Sequence, residues 1–159
     1  MRIMKRFKPI LTICLVLTLF SISAELQAAP PAEPAKLQLE LDPVEVFAGG
    51  ETELTLLLTP IEGVKINRYP KIKLELAALD GVVAASKALV GNDKAPPPGD
   101  SESNYFKTVD PVKLPITIDP NAKSGTHELE AKLTYFYCVS ASGFCAPKSV
   151  PVSFAVKVR

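Results

Sequence analysis

Two cysteines near the end of the chain, Cys138 and Cys145, are the residues of this sequence whose type and spacing best suit chemistry. Before them, residues 127–137 place apolar side chains on alternate positions, which is the period of a half-buried strand. After them, residues 150–156 form a second β-rich run. Two such runs joined by a short segment with Ser, Gly and Pro predict an antiparallel hairpin. Cysteines at the two ends of that connection come within disulfide range.

Hydrolytic and metal-dependent chemistries find little support in the sequence. The single histidine, His127, would lie about 35 Å from Cys138 on one straight strand, which is too far for a Cys/His nucleophile pair. There is no G-x-S-x-G motif near it. Two cysteines and a distant histidine do not form a closed tetrahedral zinc set, and copper(I) would require a further soft ligand such as methionine. We therefore expect no metal and no other cofactor.

The two cysteines then have two possible roles. As a structural staple, a disulfide closing this short ring would contribute about 2.5 kcal/mol in the chain-entropy model. As a redox pair, the cysteines need access, a lowered thiol pKa and a partner that forms a mixed disulfide. Spacing alone favours the staple, because most disulfides of exported domains are structural. Both roles remain open on the residues themselves.

Residues 1–28 have the pattern of a secretory signal peptide, with cleavage expected near residue 28. A positive start is followed by an apolar core over residues 10–20 and by a small-residue site ending at Ala28. An uncleaved anchor is the alternative, but the apolar run is shorter than the ~20 residues that span a bilayer. Cys14 does not indicate a lipoprotein, since bulky Ile13 precedes it and more apolar core follows. A periplasmic or otherwise exported location is predicted.

The charge of the exported chain argues against nucleic acid and membrane surfaces as partners. Residues 1–28 carry four Lys/Arg and one acidic residue, so their removal changes the formal net charge from +1 to −2. Both signs are spread along the remaining chain. Removal also leaves an even pair of cysteines in a compartment where a disulfide persists.

The remaining sequence predicts one all-β domain, an antiparallel β-sandwich over residues 37–159, after a proline-rich lead over 29–36. Seven or more short runs alternate apolar and polar residues, turn signals recur near every ten residues, and no convincing helix appears. Pro115 predicts that its strand lies at a sheet edge or contains a bulge. Residues 81–90 favour a strand edge, and residues 91–104 form a polar loop.

Several short motifs follow the pattern of one known family. In the hairpin they are Tyr135-x-x-Cys138, Gly143-Phe144-Cys145-x-Pro147 and Val150-Pro151-Val152. Upstream they are Gly63-Val64-Lys65-Ile66-Asn67 and Leu114-Pro115-Ile116-Thr117-Ile118. Over most of residues 37–158 the chain resembles the N-terminal periplasmic domain family of the thiol:disulfide interchange protein DsbD. The cysteine hairpin is the specific part of this resemblance.

The resemblance implies an immunoglobulin-like fold, a reversible Cys138–Cys145 disulfide and protein-disulfide oxidoreductase activity. It implies that Cys145 exchanges with partner proteins while Cys138 resolves, and that aromatic residues shield the pair. Tyr105 and Phe106 are the nearest candidates for that shield. In the family, a membrane domain delivers electrons that this domain passes to periplasmic oxidoreductases and cytochrome-maturation proteins. Here we expect a thioredoxin-like oxidoreductase, periplasmic or membrane-bound, to act in trans, with any membrane contact through that partner.

A non-catalytic exported binding or assembly module, with a disulfide that only pins the hairpin, is the alternative function. The local sequence bears on which sulfur would react. Aromatic neighbours, including Tyr135 and Tyr137, precede Cys138, so we expect its side chain to be buried. Cys145 lies at the mouth of the hairpin, where Pro147 restrains the chain and Lys148 would favour a thiolate if it approached the sulfur. Phe144 is expected to pack over the disulfide.

Overall fold

The structure, a computed structural model, describes residues 29–159 and is built almost entirely of β-strands. The predicted signal peptide, residues 1–28, lies outside this range. The strands are, in chain order, β1 (Ala35–Asp42), β2 (Glu45–Val46), β3 (Glu51–Pro60), β4 (Val64–Ile66), β5 (Ile72–Leu76), β6 (Ser86–Val90), β7 (Val112–Thr117), β8 (Gly125–Val139) and β9 (Cys145–Val158). A single turn of 3-10 helix spans Glu102–Asn104. Within residues 29–159, no helix has the length and apolar character needed to cross a membrane.

The strands form two sheets. One has the order β1-β3-β7, and the other has the order β2-β9-β8-β5-β6, with β4 pairing separately to β8. All strand pairs are antiparallel except β2 with β9, which is parallel. The arrangement confirms the all-β antiparallel sandwich predicted from the sequence.

The core between the sheets is made by the alternating residues that suggested strands in the sequence. Each contributing strand turns every second side chain inward, because successive side chains of a strand point to opposite faces. The most deeply buried members, all below 2% exposure, include Leu54, Leu56, Ile72, Leu74, Val112, Leu114, Leu129 and Leu133. Burying one such side chain stabilises the fold by about 1.5–3 kcal/mol. The result is a rigid support beneath β8, the strand that carries Cys138.

Two strands that the sequence predicted to be edge strands lie at sheet edges. β7, which contains Pro115, is an edge strand of the smaller sheet, and β6 is an edge strand of the larger one, as predicted.

The lead is not a free tether, since Pro34 is buried and its carbonyl accepts a hydrogen bond from the N–H of Ile61 (3.1 Å). β1 begins at Ala35 and so includes the last two residues of the lead. The lead therefore packs against the sandwich.

Candidate functional site

The two cysteines lie directly opposite each other where the β8–β9 hairpin ends. Their sulfurs form a disulfide, and their Cα atoms are 4.1 Å apart. The turn between them is closed by hydrogen bonds from the N–H of Val139 to the carbonyl of Phe144 (2.8 Å) and from the N–H of Gly143 to the carbonyl of Val139 (2.9 Å). Gly143 has φ of 67°, a conformation that glycine adopts without steric cost. The hairpin predicted from the sequence is confirmed.

The disulfide lies on the outer face of the larger sheet. Tyr135 and Tyr137 of β8 belong to the core between the sheets. Because side chains alternate along a strand, Cys138 points to the opposite face, and Cys145 and Pro147 of β9 point there with it. Tyr135 and Tyr137 therefore support the disulfide strand from below, whereas Pro147 shares the face of the disulfide.

The two sulfurs have very different environments. Cys138 is only 5% exposed, whereas Cys145 is exposed. The side-chain Oδ1 of Asn67 lies 3.6 Å from Sγ of Cys138, a contact rather than a hydrogen bond because the disulfide sulfur carries no proton. Sγ of Cys145 lies 3.8 Å from the carbonyl oxygen of Gly143, within the hairpin itself. An incoming thiol therefore has access to Cys145 and not to Cys138.

Lys65 is the cation nearest to Cys138 along the sheet. β4 places Lys65 directly opposite Cys138, so the two side chains lie on the same outer face. The Nζ of Lys65 is 2.8 Å from a carboxylate oxygen of Glu102 and 4.9 Å from the ring centre of Tyr105. The ammonium of Lys65 is thus held by an acidic and an aromatic partner, Glu102 and Tyr105, on the side of β4 away from β8.

The loop residues Tyr105 and Phe106 lie on the far side of β4 from β8. Tyr105 bridges to Asn67, and the N–H of Phe106 donates to the carbonyl of Ile66 (3.0 Å). Phe106 packs against the core, with the guanidinium of Arg68 5.1 Å from its ring centre. The structure therefore places both aromatics beside the site, where they fix β4.

A row of aromatic rings underlies the hairpin end. The ring centres of Tyr135 and Tyr137 are 6.5 Å apart, and those of Tyr137 and Phe144 are 6.2 Å apart. Phe144 packs on Tyr137 but remains 40% exposed. Burial raises the pKa of Tyr135 to about 12, with smaller contributions from Tyr137 and Glu33. This row keeps the end of β8 rigid and leaves one apolar ring at the surface beside Cys145.

Lys148 does not lie beside the Cys145 sulfur, contrary to the possibility raised by the sequence. Its Nζ donates a hydrogen bond to the carbonyl of Ala32 in the lead (2.6 Å). Three positions separate it from Cys145, so the alternation of β9 turns the two side chains to opposite faces. The sequence analysis named Lys65 and Asn67 only as members of the Gly63–Asn67 motif and did not predict that they lie beside the disulfide.

His127 takes no part in this site. It lies near the opposite end of β8, where its Nε2 is 2.8 Å from the carbonyl oxygen of Lys123. Among residues 29–159, no group of three or more His, Cys, Asp or Glu side chains is arranged to hold a metal ion. The disulfide is therefore the feature on which the candidate site is built.

No protein-family model matches the chain, and no curated protein is significantly similar to it. The cysteine hairpin and its immediate surroundings are thus the features from which a function is inferred.

Proposed function

We propose that the protein exchanges its Cys138–Cys145 disulfide with the thiols of a partner protein, as a protein-disulfide oxidoreductase of an exported compartment. The observation that supports this most directly is the unequal exposure of the two sulfurs. Cys145 is open to solvent at the hairpin end, whereas Cys138 is 5% exposed behind it. Exchange proceeds by attack of a thiolate on one disulfide sulfur, so access selects which sulfur is attacked.

The oxidised hairpin accepts electrons in two steps. A thiolate of the partner attacks Sγ of Cys145, the Cys138–Cys145 bond breaks, and Cys138 leaves with the electron pair as a thiolate. A second partner thiolate then attacks the partner's own sulfur in the mixed disulfide, which releases Cys145 and leaves the partner oxidised. In the reverse direction the Cys145 thiolate attacks a partner disulfide, and Cys138 resolves the mixed disulfide.

Asn67 is placed to influence the leaving thiolate of Cys138. Burial in apolar surroundings raises a thiol pKa, which makes it a poorer leaving group. An amide offers both an acceptor and N–H donors, and a rotation of the Asn67 side chain that gives up the 3.5 Å bond from Nδ2 to the carbonyl of Tyr69 presents Nδ2 to the sulfur. An N–H donor at that contact favours the thiolate of Cys138.

The partner is proposed to be a thioredoxin-like oxidoreductase acting in trans. This rests on the predicted signal peptide and on the resemblance of the cysteine hairpin to DsbD N-terminal domains. A disulfide that only pins the hairpin, in a binding or assembly module, is the competing function. The hairpin pairs continuously along β8 and β9 and is closed by backbone hydrogen bonds, which supports a role for the disulfide beyond pinning the hairpin.

The reduction potential of the Cys138–Cys145 pair tests the proposal. Structural disulfides of exported proteins typically lie below about −300 mV, and exchange-active ones lie higher. We expect a potential above that value, together with a mixed disulfide between Cys145 of the Cys138→Ser variant and a thioredoxin-like protein. The Cys145→Ser variant is the matched control and should trap far less. A potential below about −300 mV, with no mixed disulfide trapped, would contradict the exchange function and support a purely structural disulfide.

A further inference from the structure

The backbone N–H and C=O groups of Cys145 point away from β8. Directly opposite residues of antiparallel strands alternate between hydrogen-bonded pairs, with Cα atoms about 5.5 Å apart, and non-hydrogen-bonded pairs about 4.5 Å apart. The 4.1 Å separation of Cys138 and Cys145 places them in the second class. The next pair along the hairpin, Val139 with Phe144, is a hydrogen-bonded pair, because the N–H of Val139 donates to the carbonyl of Phe144. The N–H and C=O of Cys145 therefore face the other edge of β9.

That edge of β9 is open at Cys145. The short strand β2 pairs with β9 only at Lys157 and Val158. Between Cys145 and Val156, no strand of the described residues pairs with β9 on this side. The lead reaches this region through the side chain of Lys148 rather than through backbone pairing.

Prolines restrict which part of this edge can accept another strand. Pro147 and Pro151 lie an even number of residues from Cys145, so their backbone nitrogens also face the open edge of β9. Any other residue type would offer an N–H donor to an added strand at these two positions. Prolines at such positions discourage pairing along a whole edge. The outward N–H groups that remain nearest the reactive sulfur belong to Cys145 itself and to Ser149. The edge thus favours a short contact centred at the disulfide.

We propose that the redox partner docks by laying a short extended segment, which lies next to its reactive cysteine, along β9 beside Cys145. The segment's backbone exchanges hydrogen bonds with the outward N–H and C=O of Cys145, and the exposed ring of Phe144 offers an apolar contact. The side chains of Cys145, Pro147 and Ser149, which lie on the outer face of the sheet, carry no charge, so we assign recognition to the backbone. This inference rests on the proposed exchange function.

Docking of this kind positions the partner thiolate for attack on the disulfide. The partner thiolate forms a bond to Sγ of Cys145, the bond to Sγ of Cys138 breaks, and Cys138 takes the electron pair. The partner cysteine is the reductant, so no other oxidant or reductant is required. Backbone hydrogen bonds hold the attacking sulfur near Sγ of Cys145, whereas a small thiol such as glutathione reacts without them.

Thiol peptides test the inference on the oxidised mature protein. The probe is a short capped peptide of valine and threonine with a central cysteine, and its exchange rate is compared with that of glutathione. N-methylation of the amide that faces β9 should slow exchange about two- to tenfold for each hydrogen bond lost. N-methylation of the adjacent amide, which faces away, is the matched control and should have a much smaller effect.

A protein variant gives the reciprocal test. Pro147→Ala restores an outward N–H two residues from Cys145, so the rate of exchange with the thiol peptide, relative to the rate with glutathione, should rise about two- to tenfold. If this variant misfolds, amide hydrogen exchange serves instead: a serine analogue of the peptide should protect the Cys145 amide in the unmodified protein. Equal rates for both methylated peptides, with normal glutathione exchange, would overturn the docking mode and leave the exchange function. Absence of exchange with glutathione would overturn both.

Discussion

The side-chain Oδ1 of Asn67 lies 3.6 Å from Sγ of Cys138, although the two residues are 71 positions apart in the chain. The pairing of β4 with β8 creates this contact, since it places Asn67 diagonally across from Cys138 on the outer face of the sheet. The buried sulfur thus has a polar neighbour whose substitution changes its charge environment without altering either cysteine.

Replacement of Asn67 by aspartate should slow disulfide exchange about three- to tenfold, because a carboxylate beside the sulfur disfavours the leaving thiolate of Cys138. In the Cys145→Ser background, the pKa of the Cys138 thiol should rise, as measured by the ultraviolet absorbance of the thiolate against pH. Asn121→Asp introduces the same charge in the turn before β8, at the end far from the disulfide, and should change neither quantity. An unchanged titration of Cys138 in Asn67→Asp would show that the contact does not tune the sulfur.

Cys145 should be alkylated before Cys138 when the reduced protein meets a limiting amount of reagent near neutral pH. The reason is access, since Cys138 is 5% exposed and Cys145 lies at the open hairpin end. A thiol in apolar surroundings also forms the reactive thiolate less readily than an exposed one. Peptide mapping by mass spectrometry measures the labelling, and preferential labelling of Cys138 would reverse the roles of attacker and resolver.

Reduction of the disulfide should lower the free energy of unfolding by about 2.5 kcal/mol, the chain-entropy value for so short a ring, while the strands are retained. The backbone pairing of β8 with β9 continues to hold the hairpin. Denaturant unfolding with and without reductant measures the difference, and a variant with both cysteines changed to serine should show no response to reductant. Loss of the β-type circular dichroism spectrum on reduction would instead mark the disulfide as essential to the fold.

Most of the fold was predictable because its signals are local. The alternation of Leu54, Leu56 and Leu58 identified the most regular strand, and Pro115 correctly indicated an edge position. The cysteine hairpin is also local, since the turn and both strands are contiguous in sequence. Its pairing could therefore be derived from spacing.

The surroundings of the disulfide were harder to predict because they depend on pairing between distant segments. Lys65 and Asn67 reach the outer face beside Cys138 only through β4–β8 pairing, which no local pattern specifies. Lys148 is different, because its odd offset from Cys145 already implied that a regular strand turns the two side chains to opposite faces. The structure follows that alternation, which continues through Pro147.

Stability at alkaline pH should depend on Tyr135, which lies almost fully buried beneath the disulfide strand. Burial raises its pKa to about 12, and Tyr137 and Glu33 add to the shift. Its pKa in the unfolded chain is about 10, so folding favours the neutral phenol. The corresponding stability is fully present below about pH 10 and is lost as the pH rises towards about 12, by up to about 3 kcal/mol.

The Tyr135→Phe variant keeps the buried ring and removes the titrating hydroxyl, so its free energy of unfolding should fall less between about pH 10 and 12 than that of the unmodified protein. Denaturant titrations at a series of pH values, without added thiol, measure both slopes. Tyr69 is 38% exposed, and Tyr69→Phe should retain the full alkaline dependence because its hydroxyl gains no comparable burial on folding. Parallel curves for Tyr135→Phe and the unmodified protein would mean that another group controls alkaline unfolding.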